Sequence, residues 1–203
     1  MSTLLYVRTS LYGAQGASSQ LAERFIAEWR QRNPGGHVIT RDLAADPAPH
    51  LTAERFQAFN SRLEDRTPEQ QAVVEYSDAL INELRAADTI VLAVPMYNFG
   101  VPSTLRTYFD HVARAGVTFR YTSAGPEGLL AGRRAYVFVT RGGVYDGAAD
   151  TQAPYLRQFL RFIGIESEFV FAQGLAYGDE SRQKSLADAR AQIDGLVTVA
   201  LAA

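Results

Sequence analysis

The feature that most constrains this 203-residue chain is a regular alternation of strand-like and helix-like segments. The runs TLLYVRT, HVITRDL, TIVLAVP, RRAYVFVTR and SEFVFAQGL are rich in β-branched, aromatic and small residues, as strands buried on both faces are. Between them lie helical patterns. In SSQLAERFIAEWRQR, the residues Leu21, Phe25, Ile26 and Trp29 share one face, and NPGG stops the helix. TPEQQAVVEYSDALINELRAA opens with Thr67 as N-cap, Pro68 at the first helical position and Gln70 at the capping-box position. PYLRQFLRFIG and DESRQKSLADARAQIDGLVTVAL supply two more helices. Such alternation predicts an α/β fold: a doubly wound, five-stranded parallel sheet with right-handed crossovers and helices on both faces. The expected strand order is 2-1-3-4-5, in one domain spanning residues 1–203. The segment from Ala44 to Arg66 reads as a surface excursion with one short helix, and GVTFRYTSAGPEGLLAG as a hairpin or loop inserted before the fourth strand.

Composition removes several classes of function. The chain has no cysteine, so thiol nucleophiles, disulfides and thiolate metal sites are excluded together. A net charge of -2 leaves no basic footprint for nucleic acid or an anionic membrane. No apolar run approaches the roughly 20 residues that span a bilayer, and the start, MSTLLYVRTS, lacks the features of a signal peptide. The expectation is a cytoplasmic protein, with neither a membrane nor a nucleic acid as partner. His37, His50 and His111 are scattered and form no metal or catalytic pair, and no GxSxG elbow occurs.

In sheets of this kind ligands bind beyond the carboxyl ends of the strands, near the switch in strand order. Three loops converge there. TSLYGAQGASS, after strand one, carries Ser10, Gly13, Gly16 and Ser18 and ends at a helix start, whose free N–H groups suit a phosphate. It is neither a Walker A loop nor a GxGxxG motif, although Asp42 closes strand two about where a dinucleotide site puts its ribose acid. After strand three, AVPMYNFGVP sets Met96, Tyr97, Asn98 and Phe99 between two prolines. After strand four, TRGG offers the bare N–H groups of Gly142 and Gly143. A phosphate on the first loop and a flat heteroaromatic ring between the other two describe a mononucleotide, and FMN has that shape.

The stretches PMYNF, ARAGVTFRYT, GPEGL, TRGG and PYLRQFLRFIGI resemble the bacterial FMN-dependent NADH-azoreductase family, also described as NADH:quinone oxidoreductases. The resemblance covers nearly the whole chain, including RDLAADPAP and GLAYGDE. It implies a flavodoxin-like homodimer with one FMN per active site near the subunit interface. By the same resemblance, phosphate contacts fall on Ser10, Gly16, Ala17 and Ser18, and ring contacts on Met96, Tyr97, Asn98 and Phe99. A second ring-binding loop falls on Thr140, Arg141, Gly142 and Gly143, and the substrate pocket on Tyr121, Phe162 and Tyr145. Where some relatives carry serine-glutamine-serine this chain has Gly16-Ala17-Ser18, and Tyr145 replaces a histidine of some members. The implied activity is transfer of two electrons from NADH or NADPH to quinones and aromatic azo compounds by a ping-pong mechanism. No side chain is assigned as catalytic, because the flavin carries the chemistry, and no metal is expected. Two other readings remain: a flavodoxin-type electron carrier, which would want a more acidic docking face, and a Rossmann-type NAD-dependent dehydrogenase.

Overall fold

The computed structural model describes residues 2–199; Met1 and residues 200–203, part of the expected domain and of its last helix, lie outside the described residues. Strands β1 (Thr3–Arg8), β2 (His37–Asp42), β3 (Thr89–Pro95), β6 (Arg134–Thr140) and β7 (Glu166–Ala172) form one sheet, with the hairpin strands β4 (Phe119–Thr122) and β5 (Gly125–Gly128) apart from it. The sheet is parallel throughout, in the order β2-β1-β3-β6-β7, which is the expected 2-1-3-4-5. The central strands β3 and β6 are buried along nearly their whole length, which explains their unbroken apolar runs.

Helices cover both faces. On one, α1 (Ala17–Arg32) and α6 (Asp179–Val199) pack Leu21, Phe25, Ile26 and Ile193 against Tyr6, Val91 and Phe138. On the other, α3 (Pro68–Ala86), α4 (Ser103–Val112) and α5 (Ala153–Phe162) pack Leu80, Ile81, Leu105, Phe109 and Leu156 against Leu5, Leu92 and Val137. The capping box at the start of α3 forms as the sequence predicts: Thr67 Oγ1 accepts from the Gln70 N–H, and Gln70 Oε1 accepts from the Thr67 N–H. The excursion after β2 holds α2 (Ala53–Asn60), N-capped by Thr52. It is tied down by the buried His111, whose Nε2 bonds the Pro49 carbonyl at 2.9 Å.

The β4–β5 hairpin occupies the segment where an insertion is expected. Its last residue, Gly128, passes so close to the end of α5 that any Cβ there would overlap the backbone of Gly164. A glycine is therefore required at position 128, and the contact seats the hairpin at the end of the sheet where β6 and β7 begin.

Candidate functional site

The first loop leaves β1 at Thr9, whose hydroxyl donates to the Ala93 carbonyl at 2.7 Å and locks the exit of β1 against β3. A single 3-10 turn, Gly13–Gln15, then delivers the chain to α1. The N-cap of α1 is Gly16, with no side-chain cap and no acid in the first turn, so the first N–H groups of the helix are left open to an anion. Ser18 is 0% exposed, yet its hydroxyl has no partner among the described residues. A buried unpartnered hydroxyl at an uncapped helix start costs stability until an acceptor arrives. Gly16 leaves room for Ser10 in this arrangement: a Cβ there would overlap Ser10 Oγ and lie 2.7 Å from Ser10 Cβ, so the serine would have to shift.

The second loop is anchored at both ends. The Met96 N–H donates to Thr140 O at 2.8 Å, and Gln152 Nε2 donates to Pro95 O at 3.0 Å. Tyr97 and Gly100 exchange backbone hydrogen bonds of 3.1 and 3.0 Å around Asn98 and Phe99, which have φ of 47° and 65°. Positive φ at both central residues defines a primed two-residue turn, normally the province of glycine and asparagine. A phenylalanine there carries roughly 1–2 kcal/mol of backbone strain. The Phe99 ring is 65% exposed and meets Tyr145 edge-on at 6.0 Å, and the Thr151 hydroxyl donates to the Phe99 carbonyl. The Tyr97 hydroxyl accepts from the Leu11 N–H at 3.1 Å, joining the second loop to the first.

In the third loop the side chain and the backbone of Arg141 have separate places. Arg141 does not direct its side chain at the cavity. It is 1% exposed and turns inward to donate to Gln152 Oε1, the Tyr145 carbonyl, Gln173 Oε1 and Asp150 Oδ1 at 2.8–3.2 Å. Its guanidinium also lies 5.1 Å from the centre of the Phe171 ring. Burial pushes the Asp150 carboxyl up, but bonds from the Ala153 N–H, Arg141 and the Gln152 N–H outweigh it and hold Asp150 below its ordinary value. Arg141 thus positions the loop, and only its backbone reaches the cavity. The carbonyls of Arg141, Gly142 and Gly143 accept from Leu175, Ala176 and Gly174. The N–H groups of Gly142 and Gly143 have no partner among the described residues, as a ligand edge would need. Gly142 does not have a positive φ, and a Cβ there would make only ordinary contact with Ala176 at 3.5 Å. Its value is access to the backbone rather than an unusual conformation.

The three loops enclose a cavity of about 430 Å³ lined by Ser10, Gly16, Ala17, Met96, Tyr97, Thr140, Arg141 and Gly142. Ser18, buried, follows the lining residue Ala17 and does not itself line the cavity. Asn98 lines an adjoining hollow with Leu11, Val101 and Thr104, while Phe99, Gly143 and Tyr145 cluster at the outer rim. Sequence reasoning missed five lining residues, among them Pro95 at the end of β3. Tyr12 and Gln15 sit within the first loop but carry no motif. Leu175 and Arg182 come from a fourth loop, after β7, and from the first turns of α6. Tyr121 and Phe162 are not near this cavity in the same chain. Tyr121 is 75% exposed on the hairpin, and both rings pack on Phe119, at 5.6 and 4.3 Å. A larger hollow of about 710 Å³ on the flank of α5 and β7 is lined by Arg157, Arg161 and Glu166, away from all the loops. Asp42 is occupied: Arg8 bonds it through Nε and Nη2 at 3.1 and 2.5 Å, and its other oxygen accepts from the Ala44 and Ala45 N–H groups. That arrangement leaves no free ribose acid and removes the dehydrogenase reading.

An open, doubly wound sheet whose phosphate-ready helix start faces a flat apolar and peptide wall defines a mononucleotide-binding α/β protein. Comparison with known proteins narrows the class. A family model described as Flavodoxin-like fold matches residues 2–197, and the chain belongs to that family. It is 52% identical to an FMN-dependent NADH:quinone oxidoreductase of Cellvibrio japonicus over 196 residues, 96% of this chain and 98% of that protein. It is 47% identical to an FMN-dependent NADH:quinone oxidoreductase of Escherichia coli K12 over 200 residues, 98% of this chain and 100% of that one. Among solved structures, an azoreductase from Bacillus anthracis superposes with a TM-score of 0.89 at 27% identity, covering 97% of this chain and 99% of that one. An FMN-dependent NADH-azoreductase from Bacillus anthracis in complex with FMN superposes with a TM-score of 0.85 at 26% identity, covering 97% and 100%.

Proposed function

We propose that this protein is an FMN-dependent oxidoreductase that takes electrons from NADH or NADPH and passes them in pairs to quinones and aromatic azo compounds. The observation that carries the reading is the union, in one cavity, of an uncapped helix start over an orphaned buried serine with a flat wall of peptide and apolar groups. Relatives at about half identity named FMN-dependent NADH:quinone oxidoreductase, and azoreductase structures of the same shape, support it. Bound FMN would supply the two-electron chemistry. The chain's own residues bind and orient. The N–H groups of Ala17 and Ser18, with the Ser10 and Ser18 hydroxyls, would hold the phosphate. Met96 and Tyr97 would wall the ring, and the bare N–H groups of Gly142 and Gly143 would meet its polar edge. Asn98 and Phe99 would shape the approach, and Thr140 and Arg141 would hold the floor. Tyr145 would close the rim beside Phe99.

We further propose that donor and acceptor alternate over one open face, giving ping-pong kinetics, and that the working unit is a cytoplasmic homodimer. Tyr121 and Phe162 would wall the substrate space of the partner subunit. Among the described residues no helix is long and apolar enough to cross a membrane.

The test is an absorbance spectrum of the purified protein, chromatographic identification of any released flavin, and initial rates with NADH and a quinone. Expected are a yellow protein, FMN rather than FAD, and parallel double-reciprocal lines. A colourless protein that does not take up FMN overturns the flavin reading. A flavin-loaded protein that oxidises neither NADH nor NADPH supports the electron carrier instead.

A further inference from the structure

Arg182 is the one cation on the cavity wall whose side chain has no use in the fold. Its charge enters no ion pair or side-chain hydrogen bond among the described residues, whereas Arg141 is fully engaged. Its place follows from how two helices lie together. The α1 and α6 helices pack side by side on one face of the sheet and run the same way, and the ion pair between Arg24 and Asp194 fixes their relative height. Arg24 lies seven residues into α1, and Asp194 fifteen into α6. At 1.5 Å per residue, the start of α6 therefore overhangs the start of α1 by about 12 Å. Arg182, three residues after Asp179, stands about 7 Å beyond the level of Ala17. That position is above the open N–H groups of α1, within the reach of an arginine side chain. Arg182 lines the same cavity as Ser10, Gly16 and Ala17, the residues that lead into α1, and the hydroxyl of the next residue, Ser18, is buried without a partner among the described residues.

We infer that Arg182 is the cationic clamp on the flavin's phosphate, a phosphate-positioning residue contributed by the first turn of α6. The inference rests on the FMN reading above and deepens it: the anion held at α1 is closed over from α6. The uncapped helix supplies partial charges and hydroxyl donors, and Arg182 supplies the full opposing charge they lack. The site thereby discriminates a phosphorylated flavin from its unphosphorylated form through a residue that makes no contact with the ring.

The test separates charge from ring binding. Dissociation constants for FMN and for riboflavin are measured by flavin fluorescence quenching in wild type, Arg182→Ala, Arg182→Lys and Arg190→Ala. Arg190 is a control cation on the same helix, about 12 Å further along. The FMN constant of Arg182→Ala is expected to rise about tenfold, the worth of one exposed charge-assisted bond to phosphate. Its riboflavin constant should stay put, and its FMN binding should lose part of the wild-type salt dependence. Arg182→Lys should recover part of the loss, and Arg190→Ala should match wild type. If wild type binds FMN and Arg182→Ala binds it equally well, the clamp is refuted while the flavin reading stands. A raised KM for NADH with FMN affinity unchanged also refutes it and transfers the arginine to the donor. Failure of wild type itself to bind FMN defeats the underlying reading and this inference with it.

Discussion

Removing Asp150 should unlock the third loop, and the structure sets the scale. Arg141 is 1% exposed and Asp150 14%, and their Nη2–Oδ1 distance is 2.8 Å. Breaking a buried pair from one side costs about 3–5 kcal/mol, because the partner charge stays buried without compensation. The partial exposure of Asp150 admits some water, so the lower end, about 3 kcal/mol, applies. Asp150 Oδ1 also accepts from the Gln152 and Ala153 N–H groups at the start of α5, both at 3.0 Å. Losing that cap adds about 1 kcal/mol. Asp150→Ala should therefore cost about 4 kcal/mol, or about 8–16 °C of melting temperature in a chain of this size. Asp150→Asn keeps an acceptor oxygen and should cost about half as much. Thermal melts followed by circular dichroism, without added flavin, read both variants directly. The sign of the pH dependence is fixed. The folded Asp150 carboxyl titrates below its unfolded value, so its contribution is present in full above about pH 4 and is lost as pH falls through the folded value. The gap between wild type and Asp150→Ala should hold steady from pH 7 to about 5 and narrow only at stronger acidity. If the alanine variant melts within about 2 °C of wild type at pH 7, the Arg141–Asp150 pair is not what holds the loop.

Three further outcomes follow from the same geometry. Phe99→Gly relieves the positive φ of 65° at the tip of the second loop; after the entropic penalty of glycine it should leave stability unchanged or raise it by about 1 kcal/mol, while acceptor kinetics change because the ring facing Tyr145 is gone, and a clear drop in melting temperature would contradict the strain argument. Burial holds the His111 imidazole below its ordinary value, against the raising effect of its bond to the Pro49 carbonyl, so its contribution is present above about pH 6.5 and is lost as pH falls toward the folded value; melting temperature should decline from pH 7 to 5, and His111→Gln should flatten that decline. Phe162 is half buried against Phe119, so Phe162→Ala should cost about 2 kcal/mol, roughly half of a fully buried phenylalanine, with FMN affinity unchanged and acceptor kinetics altered; unaltered kinetics would make Phe162 purely structural.

The architecture was legible because its signals are local. The apolar run of TIVLAV, the Thr67–Gln70 box and the Leu21–Trp29 stripe each follow from residues close in sequence, and each element formed where those residues stand. The loop positions of the site were legible because 2-1-3-4-5 is the commonest order for five alternating strands, and the sheet adopts it. What the sequence hid is side-chain direction. Arg141 lies in TRGG beside two ligand-facing glycines, but its inward turn depends on Asp150, Gln152 and Gln173, the last 32 residues away. Arg182 reaches the cavity only because α6 overhangs α1, a height set by a contact between Arg24 and Asp194 that spans 170 residues. Neither partner set has a spacing that a single sequence displays.

The placement of Tyr121 and Phe162 turns a proposed role into a statement about assembly. The α5 helix starts beside the cavity, where Gln152 bonds Pro95, and ends at Phe162, about 14 Å away along its axis. The chain then turns at Gly164 and enters β7 opposite Arg134, the first residue of β6. Thr140, at the cavity, lies about 20 Å from that end of β6. The hairpin that carries Tyr121 is seated at the same far end by the contact of Gly128 with Gly164. No side-chain rotation bridges that distance, so neither ring can wall the cavity of its own chain. If these aromatics act on substrate, a second copy must bring its hairpin and the end of its α5 to the first copy's loops. The substrate role of Tyr121 and Phe162 and the homodimer therefore stand or fall together: a monomeric protein with full acceptor activity would remove both, whereas loss of quinone turnover on dilution, with FMN retained, would support both.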